Sequence, residues 1–126
     1  MIPLGGNHPP TDERMVQNLV TMGRTVHGLI AQARQAFADG DVDAARDLVR
    51  QDDIVDKLNK DCFHLALEIG DNADSREWAM TMMLVSRAIE RIGDNAVDIG
   101  EQVAFIVTGL FREFEDASHP DNGILG

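Results

Sequence analysis

The stretch SRAIERIGDNAVDIGEQVAFIVTG, Ser86 to Gly109, decides how the chain reads. It contains no proline, and its aliphatic residues return at helical intervals. Leu84, Ala88, Ile92, Ile99, Val103 and Ile106 gather on one side of such a helix, which predicts an inward face. Glu90, Asp94, Asp98 and Glu101 follow one another at steps of four, four and three and stack on the far side. Like charges at that spacing repel by roughly 0.2–0.5 kcal/mol per pair. The stripe is therefore either a solvated face or a surface for something positive.

Two more helices precede it. From about Thr11 to Asp39, the residues Met15, Leu19, Met22, Val26, Ile30, Ala33 and Phe37 recur at steps of three and four. Thr11, after Pro9 and Pro10, serves as the N-cap. Gly40 stops this helix and Asp41 caps the next. The second helix runs to about Ile69, with Ile54, Leu58, Cys62, Leu65 and Ile69 inward. Asp74 and Glu77 have capping-box spacing, so the third helix starts near Ser75 and reaches about Phe111. Short links between long helices predict an all-α fold, an antiparallel up-down-up three-helix bundle over residues 11–111. Residues 1–10 read as a leader or linker, and 112–126 as a C-terminal tail.

Composition narrows the function. The 126 residues carry a net charge of −11, which disfavours nucleic acid, since phosphate contacts need lysine and arginine. No apolar run is long enough to cross a bilayer, so direct membrane insertion is not expected. The start, MIPLGGNHPP, lacks the basic and apolar regions of a secretory signal, and the expected location is cytoplasmic. The single Cys62 reads as a buried small hydrophobe. No nucleophilic triad or phosphate-cradling glycine loop is present.

The second helix sharpens the acid stripe into a candidate site. In DDIVDKL, Asp52 and Asp56 make another acid pair four residues apart, also placed away from the inner face. Folding helices two and three about the turn near Asn72 and Ala73 brings Asp56 level with Glu90 and Asp52 level with Asp94. Gly93 and Gly100, with Ala104 in line, offer a close helix–helix approach there, although glycine costs about 1 kcal/mol against alanine within a helix. Asp52, Asp56, Glu90, Asp94, Asp98 and Glu101 are thus candidate metal ligands. Their oxygens suit iron, manganese, magnesium or calcium, and the scarcity of soft ligands argues against structural zinc. Asp61 with His64, and His27, are weaker candidates, better read as surface histidines. Met80, Met82, Met83 and Trp78 read as packing at the bundle end, with a partner surface as the alternative.

Residues 86–109, with ARQAFADGDVDAARDLVRQDDIVDKLNKD before them, resemble the PhoU family of bacterial phosphate-signalling proteins over roughly Asp12 to Gly109. That family is built of three-helix repeats, usually two per chain, with E/D-x-x-x-D motifs that hold iron or other metals. The resemblance places Glu90 and Asp94 on the motif of the last helix and Asp52 and Asp56 on that of the middle one. Asp98 and Glu101 stand where asparagine and glutamate are frequent. Asn95 departs from a common histidine. A single repeat implies the C-terminal half of a longer protein or a short relative, with the leader as an inter-repeat linker. The resemblance further implies a non-enzymatic negative regulator of the phosphate-starvation response. Its expected partners are a PstB-type transporter ATPase and a PhoR-type sensor histidine kinase, which would hold it at the inner face of the membrane. The implied cofactor is a divalent or trivalent metal, iron or manganese first, then magnesium, calcium or zinc. A homodimer is compatible with it. The competing readings are a carboxylate-bridged metalloenzyme and a metal-free helical interaction module.

Overall fold

In the computed structural model, residues 11–118 are described, with side chains to residue 109. Three helices follow in order: α1 (Glu13–Asp39), α2 (Val42–Ile69) and α3 (Ala73–Ser118). The predicted leader and the last residues of the predicted tail lie outside the described residues. The fold class is as expected from the sequence, but several boundaries differ, as do predicted inward positions on all three helices.

The caps explain the boundaries. Asp12, not Thr11, closes the start of α1, its carboxylate accepting from the Arg14 backbone N–H at 2.8 Å. Gly40 ends α1 in the left-handed conformation, φ 64°, and its N–H reaches Ala36 O. That conformation costs a residue with a Cβ about 1–2 kcal/mol, which accounts for glycine there. Asp41 then caps α2 by accepting from Ala44 N at 3.0 Å. Asn72, rather than an Asp74–Glu77 box, caps α3, its Oδ1 accepting from Asp74 N at 2.9 Å. The third helix continues past Phe111 to Ser118, so part of the predicted tail is helical.

Cross-links show the antiparallel order. Arg14 at the start of α1 pairs with Glu68 at the end of α2 at 3.1 Å. Gln32 donates to Ala44 O at 2.8 Å near the first turn. Asn59 in the middle of α2 donates to Glu90 in α3 at 3.1 Å. The core between the helices holds Met15, Met22, Val26 and Leu29 of α1, Leu48, Val55 and Cys62 of α2, and Trp78 and Ala96 of α3.

The inward face of α3 is not the predicted one. Leu84, Ala88, Ile92, Ile99 and Ile106 are exposed, Leu84 by 70%, and of the predicted set only Val103 is buried. The buried line is Ser86, Gly93, Ala96, Gly100 and Val103. Small residues occupy it because α2 runs against the α3 backbone. A Cβ on Gly100 would stand 2.6 Å from Leu48 Cδ1 and 2.8 Å from the Ala45 carbonyl oxygen. Ile30 and Phe37 of α1 and Ile54 of α2, predicted inward, are likewise exposed. Rotating α3 so that its small residues face the core turns its larger aliphatic row outward.

Candidate metal centre

Turning α3 this way carries Glu90 and Asp94 to the α2 side instead of the far side. Asp52 was expected away from the core, yet only 8% of it is exposed. Its neighbour across the interface is Gly93, and an added Cβ there would lie 2.8 Å from Asp52 Oδ1. The missing side chain is what lets a carboxylate enter this seam.

Asp52 and Asp56 of α2 and Asp94 of α3 each present a carboxylate oxygen within 4.8 Å of the others. Asp52 is buried, Asp56 half-buried and Asp94 exposed, so the cluster forms a graded mouth from core to solvent. Two unit charges at that separation repel by about 1 kcal/mol in water and by roughly three to four times that at the effective dielectric of a protein surface. This exceeds the repulsion along the α3 stripe. The inter-helix cluster, not the stripe, dominates the local electrostatics.

Protonation follows from these contacts. Burial pushes the Asp52 carboxyl up to about 7, reinforced by the adjoining Asp94 carboxyl and then by the charges of Asp56 and Glu90. Burial also raises Glu90, with Asp56 and Asp94 adding to it. Asp52 Oδ1 is buried and has no hydrogen-bond partner among the described residues. Such an orphaned acceptor costs about 1–3 kcal/mol, more for a charged group.

A cation meets each of these costs. It supplies the orphaned oxygen with a partner, removes the mutual repulsion, and takes the oxygen-only donor set that hard ions prefer. The donors therefore fit a metal, with Asp52, Asp56 and Asp94 as the ligands brought together and Glu90 beside them. Asp98 and Glu101 are exposed and stand outside that group; Asp98 lines a furrow between α1 and α3 instead. His27 and His64 are exposed and also stand outside it.

Two positioning residues escaped the sequence reading. Ser86, fully buried, donates to Asn59 Oδ1 at 2.6 Å, and Asn59 Nδ2 donates to Glu90 at 3.1 Å. The chain of bonds fixes the amide orientation and aims its N–H at the Glu90 carboxylate. The signal was present as the seven-residue spacing of Ser86, Gly93 and Gly100, all small.

Trp78 is buried as core, while Met80 is exposed. With Phe63, Leu67, Met83 and Leu84, Met80 lines an apolar cavity of about 500 Å³ between α2 and α3.

The fold and site define a class of protein: an acidic three-helix module with a carboxylate cluster on one inter-helix seam. The PhoU domain family model matches residues 19–103, and the chain belongs to that family. A PhoU homologue of the phosphate-specific transport system from Thermotoga maritima is 33% identical over 102 residues, 79% of this chain and 44% of the relative. The corresponding protein of Clostridium acetobutylicum is 30% identical over 103 residues, 81% of this chain and 47% of its own. That of Deinococcus radiodurans is 32% identical over 100 residues, 76% and 42% respectively. The chain thus spans less than half the length of these relatives. No solved structure matches it significantly.

Proposed function

We propose that the chain is a non-enzymatic regulatory module of phosphate uptake whose α2/α3 seam holds a metal ion. The carrying observation is the buried, partnerless Oδ1 of Asp52 in reach of Asp56 and Asp94. The relatives' names, accessory proteins of the phosphate-specific transport system, supply the biological setting. In that setting the chain restrains the phosphate-starvation response by acting with a PstB-type transporter ATPase and a PhoR-type sensor kinase. Asp52, Asp56 and Asp94 hold the ion, iron or manganese before magnesium, calcium or zinc, and Glu90 stands ready beside them.

A regulator fits better than a metalloenzyme because Asp94 is exposed and Asp56 half-exposed. An ion there would be open to water on one side, without the dry enclosure that reactive metal-bound species need. Its role is to order the seam by joining α2 to α3. No helix is long and apolar enough to cross a membrane among the described residues.

The test is metal content and melting temperature of the purified chain and of Glu90→Ala/Asp94→Ala. Copurifying iron or manganese that raises the melting temperature and is lost in the double variant supports the reading. Absence of metal affinity, with a variant that melts no lower, overturns it. A phosphate-starvation reporter that stays silent in phosphate-rich cells, and switches on when the chain is deleted, tests the regulatory half.

A further inference from the structure

The apolar cavity and the carboxylate cluster belong to one groove. On α2, Asp52, Asp56, Asn59, Phe63, Ala66 and Gly70 succeed one another at steps of four and three. On α3 the opposing line, Arg76, Met80, Met83, Arg87, Glu90 and Asp94, keeps the same steps in the opposite sense. Phe63, Met80 and Met83 line the cavity at one end, and Asp52, Asp56 and Asp94 meet at the other. The bonds from Ser86 to Asn59 and from Asn59 to Glu90 join the two halves. From Asp52 to Gly70 the groove is about 27 Å long, at 1.5 Å per residue.

Packing of α2 on α3 leaves much of the apolar half unused. Leu67, Met80 and Leu84 are exposed by 62%, 66% and 70%. Contiguous apolar surface of this kind marks an interaction site, and methionines adapt to a partner's side chains. Alternating steps of three and four are those by which a helix keeps one face toward a helix lying alongside. Charge says what kind of helix fits. At the apolar end Arg76 and Asp71 balance one another. At the other end Arg87 offsets one of four acids, Asp52, Asp56, Glu90 and Asp94, and that end stays negative. A bilayer is a poorer occupant, because a chain of net charge −11 is repelled by anionic headgroups.

We propose that the α2/α3 groove docks one amphipathic helix of a partner protein, apolar along one half and bearing lysine or arginine along the other, and that this helix and a metal ion exclude one another. Its apolar side chains enter between Phe63, Leu67, Met80 and Leu84. Its cation reaches Asp56, Asp94 and the partnerless Oδ1 of Asp52, the same oxygens a metal takes. The exclusion rests on the metal reading above, whereas the docking groove does not.

Fluorescence polarisation of a labelled helical peptide of about 18 residues tests this in metal-free buffer. The peptide carries leucines on one face of its first half and lysines on the same face of its second. The expected result is saturable binding, weakened at least about 100-fold by Leu67→Gln/Met80→Gln. Replacing the peptide's lysines by glutamates should weaken it at least about tenfold. Both substituted positions are exposed, so helical circular dichroism should be unchanged. No binding at about 100 μM, equal binding of the glutamate peptide, or binding that survives the double variant overturns the docking groove. Self-association relieved by the same variant gives the face to a second copy, and adsorption to phosphatidylglycerol vesicles in place of the peptide gives it to a lipid surface; either overturns the proposal. Manganese should release the bound peptide, and calorimetry with manganese alone keeps the two readings apart. Manganese that binds without releasing the peptide overturns the exclusion. Manganese that does not bind overturns the metal reading, and peptide binding then decides the docking groove by itself.

Discussion

The Cβ that Gly93 lacks would sit 2.8 Å from Oδ1 of Asp52 and 3.4 Å from Cγ2 of Val26. One hydrogen in place of a methyl therefore decides whether a carboxylate can stand between α2 and α3. Gly93→Ala should gain helix propensity, about 1 kcal/mol, and lose more to overpacking, about 1–3 kcal/mol. The net expectation is a lower melting temperature together with displaced Asp52 and weakened metal binding. Gly23→Ala is the contrast, because nothing lies within 4 Å of its added Cβ. That variant should melt higher, by the equivalent of about 0.4–1 kcal/mol. Thermal denaturation of both variants, side by side, checks the pair.

Metal-free stability should fall as pH rises from about 4 to about 7. In that interval the folded state keeps a proton on Asp52, held up to about 7, which the unfolded chain releases near 3.8. Because the native state binds more protons, raising the pH favours unfolding, by roughly 1–3 kcal/mol across the interval. Asp12, held low by Arg14, acts in the opposite sense and only in stronger acid. Urea titrations of the chelated protein at pH 5 and pH 7.5 should show the loss, and Asp52→Asn should abolish most of it.

Added metal should reverse that trend. A coordinating carboxylate must be ionised, so metal affinity rises with pH until Asp52 has lost its proton. Calorimetric titration with manganese at pH 6 and pH 8 should give tighter binding at the higher value. Asp94→Asn should remove most of the affinity, whereas Asp98→Asn should leave it nearly unchanged.

The Ser86–Asn59–Glu90 chain should matter to the same site from outside it. Asn59→Ala leaves the buried Ser86 hydroxyl with the Met22 sulfur at 3.4 Å as its remaining partner, and frees Glu90. The expected cost is about 1 kcal/mol of stability and, through the lost orientation, about tenfold in metal affinity. A variant with normal stability and normal affinity would remove Asn59 from the site.

Cys62 should be inert in the folded protein. It is fully buried against the Met22 sulfur, and burial raises its thiol above the ordinary range. An aromatic disulfide reagent should label it only on addition of denaturant. Rapid labelling under native conditions would contradict the described core.

The register between α2 and α3 was readable from the chain, because short links fix it: Asp52 does meet Asp94, and Asp56 lies near Glu90. The rotation of α3 about its axis was not readable by hydrophobicity. Ile92, Ile99 and Ile106 outweigh Gly93, Ala96 and Gly100 on any apolar scale, so the pattern pointed the wrong flank inward. Close helix packing selects for smallness instead, and Ser86, Gly93 and Gly100 at seven-residue spacing carried that signal. Asp52 was misplaced for a related reason: a carboxylate reads as surface unless its neighbour across the seam leaves room for it.

The links themselves carry a last consequence. Gly40 and Asp41 alone separate α1 from α2, and Gly70, Asp71 and Asn72 alone separate α2 from α3. Each connection ends on a residue that caps the next helix, Asp41 or Asn72. One insertion within α2 ahead of Asp52 would turn its side chain by about 100° and carry it out of the seam. Within α2 and the first part of α3 the chain is free to drift by substitution at most exposed positions, but not in length. Tags, loops and fused domains are therefore to be kept out of the helical stretches that frame the seam.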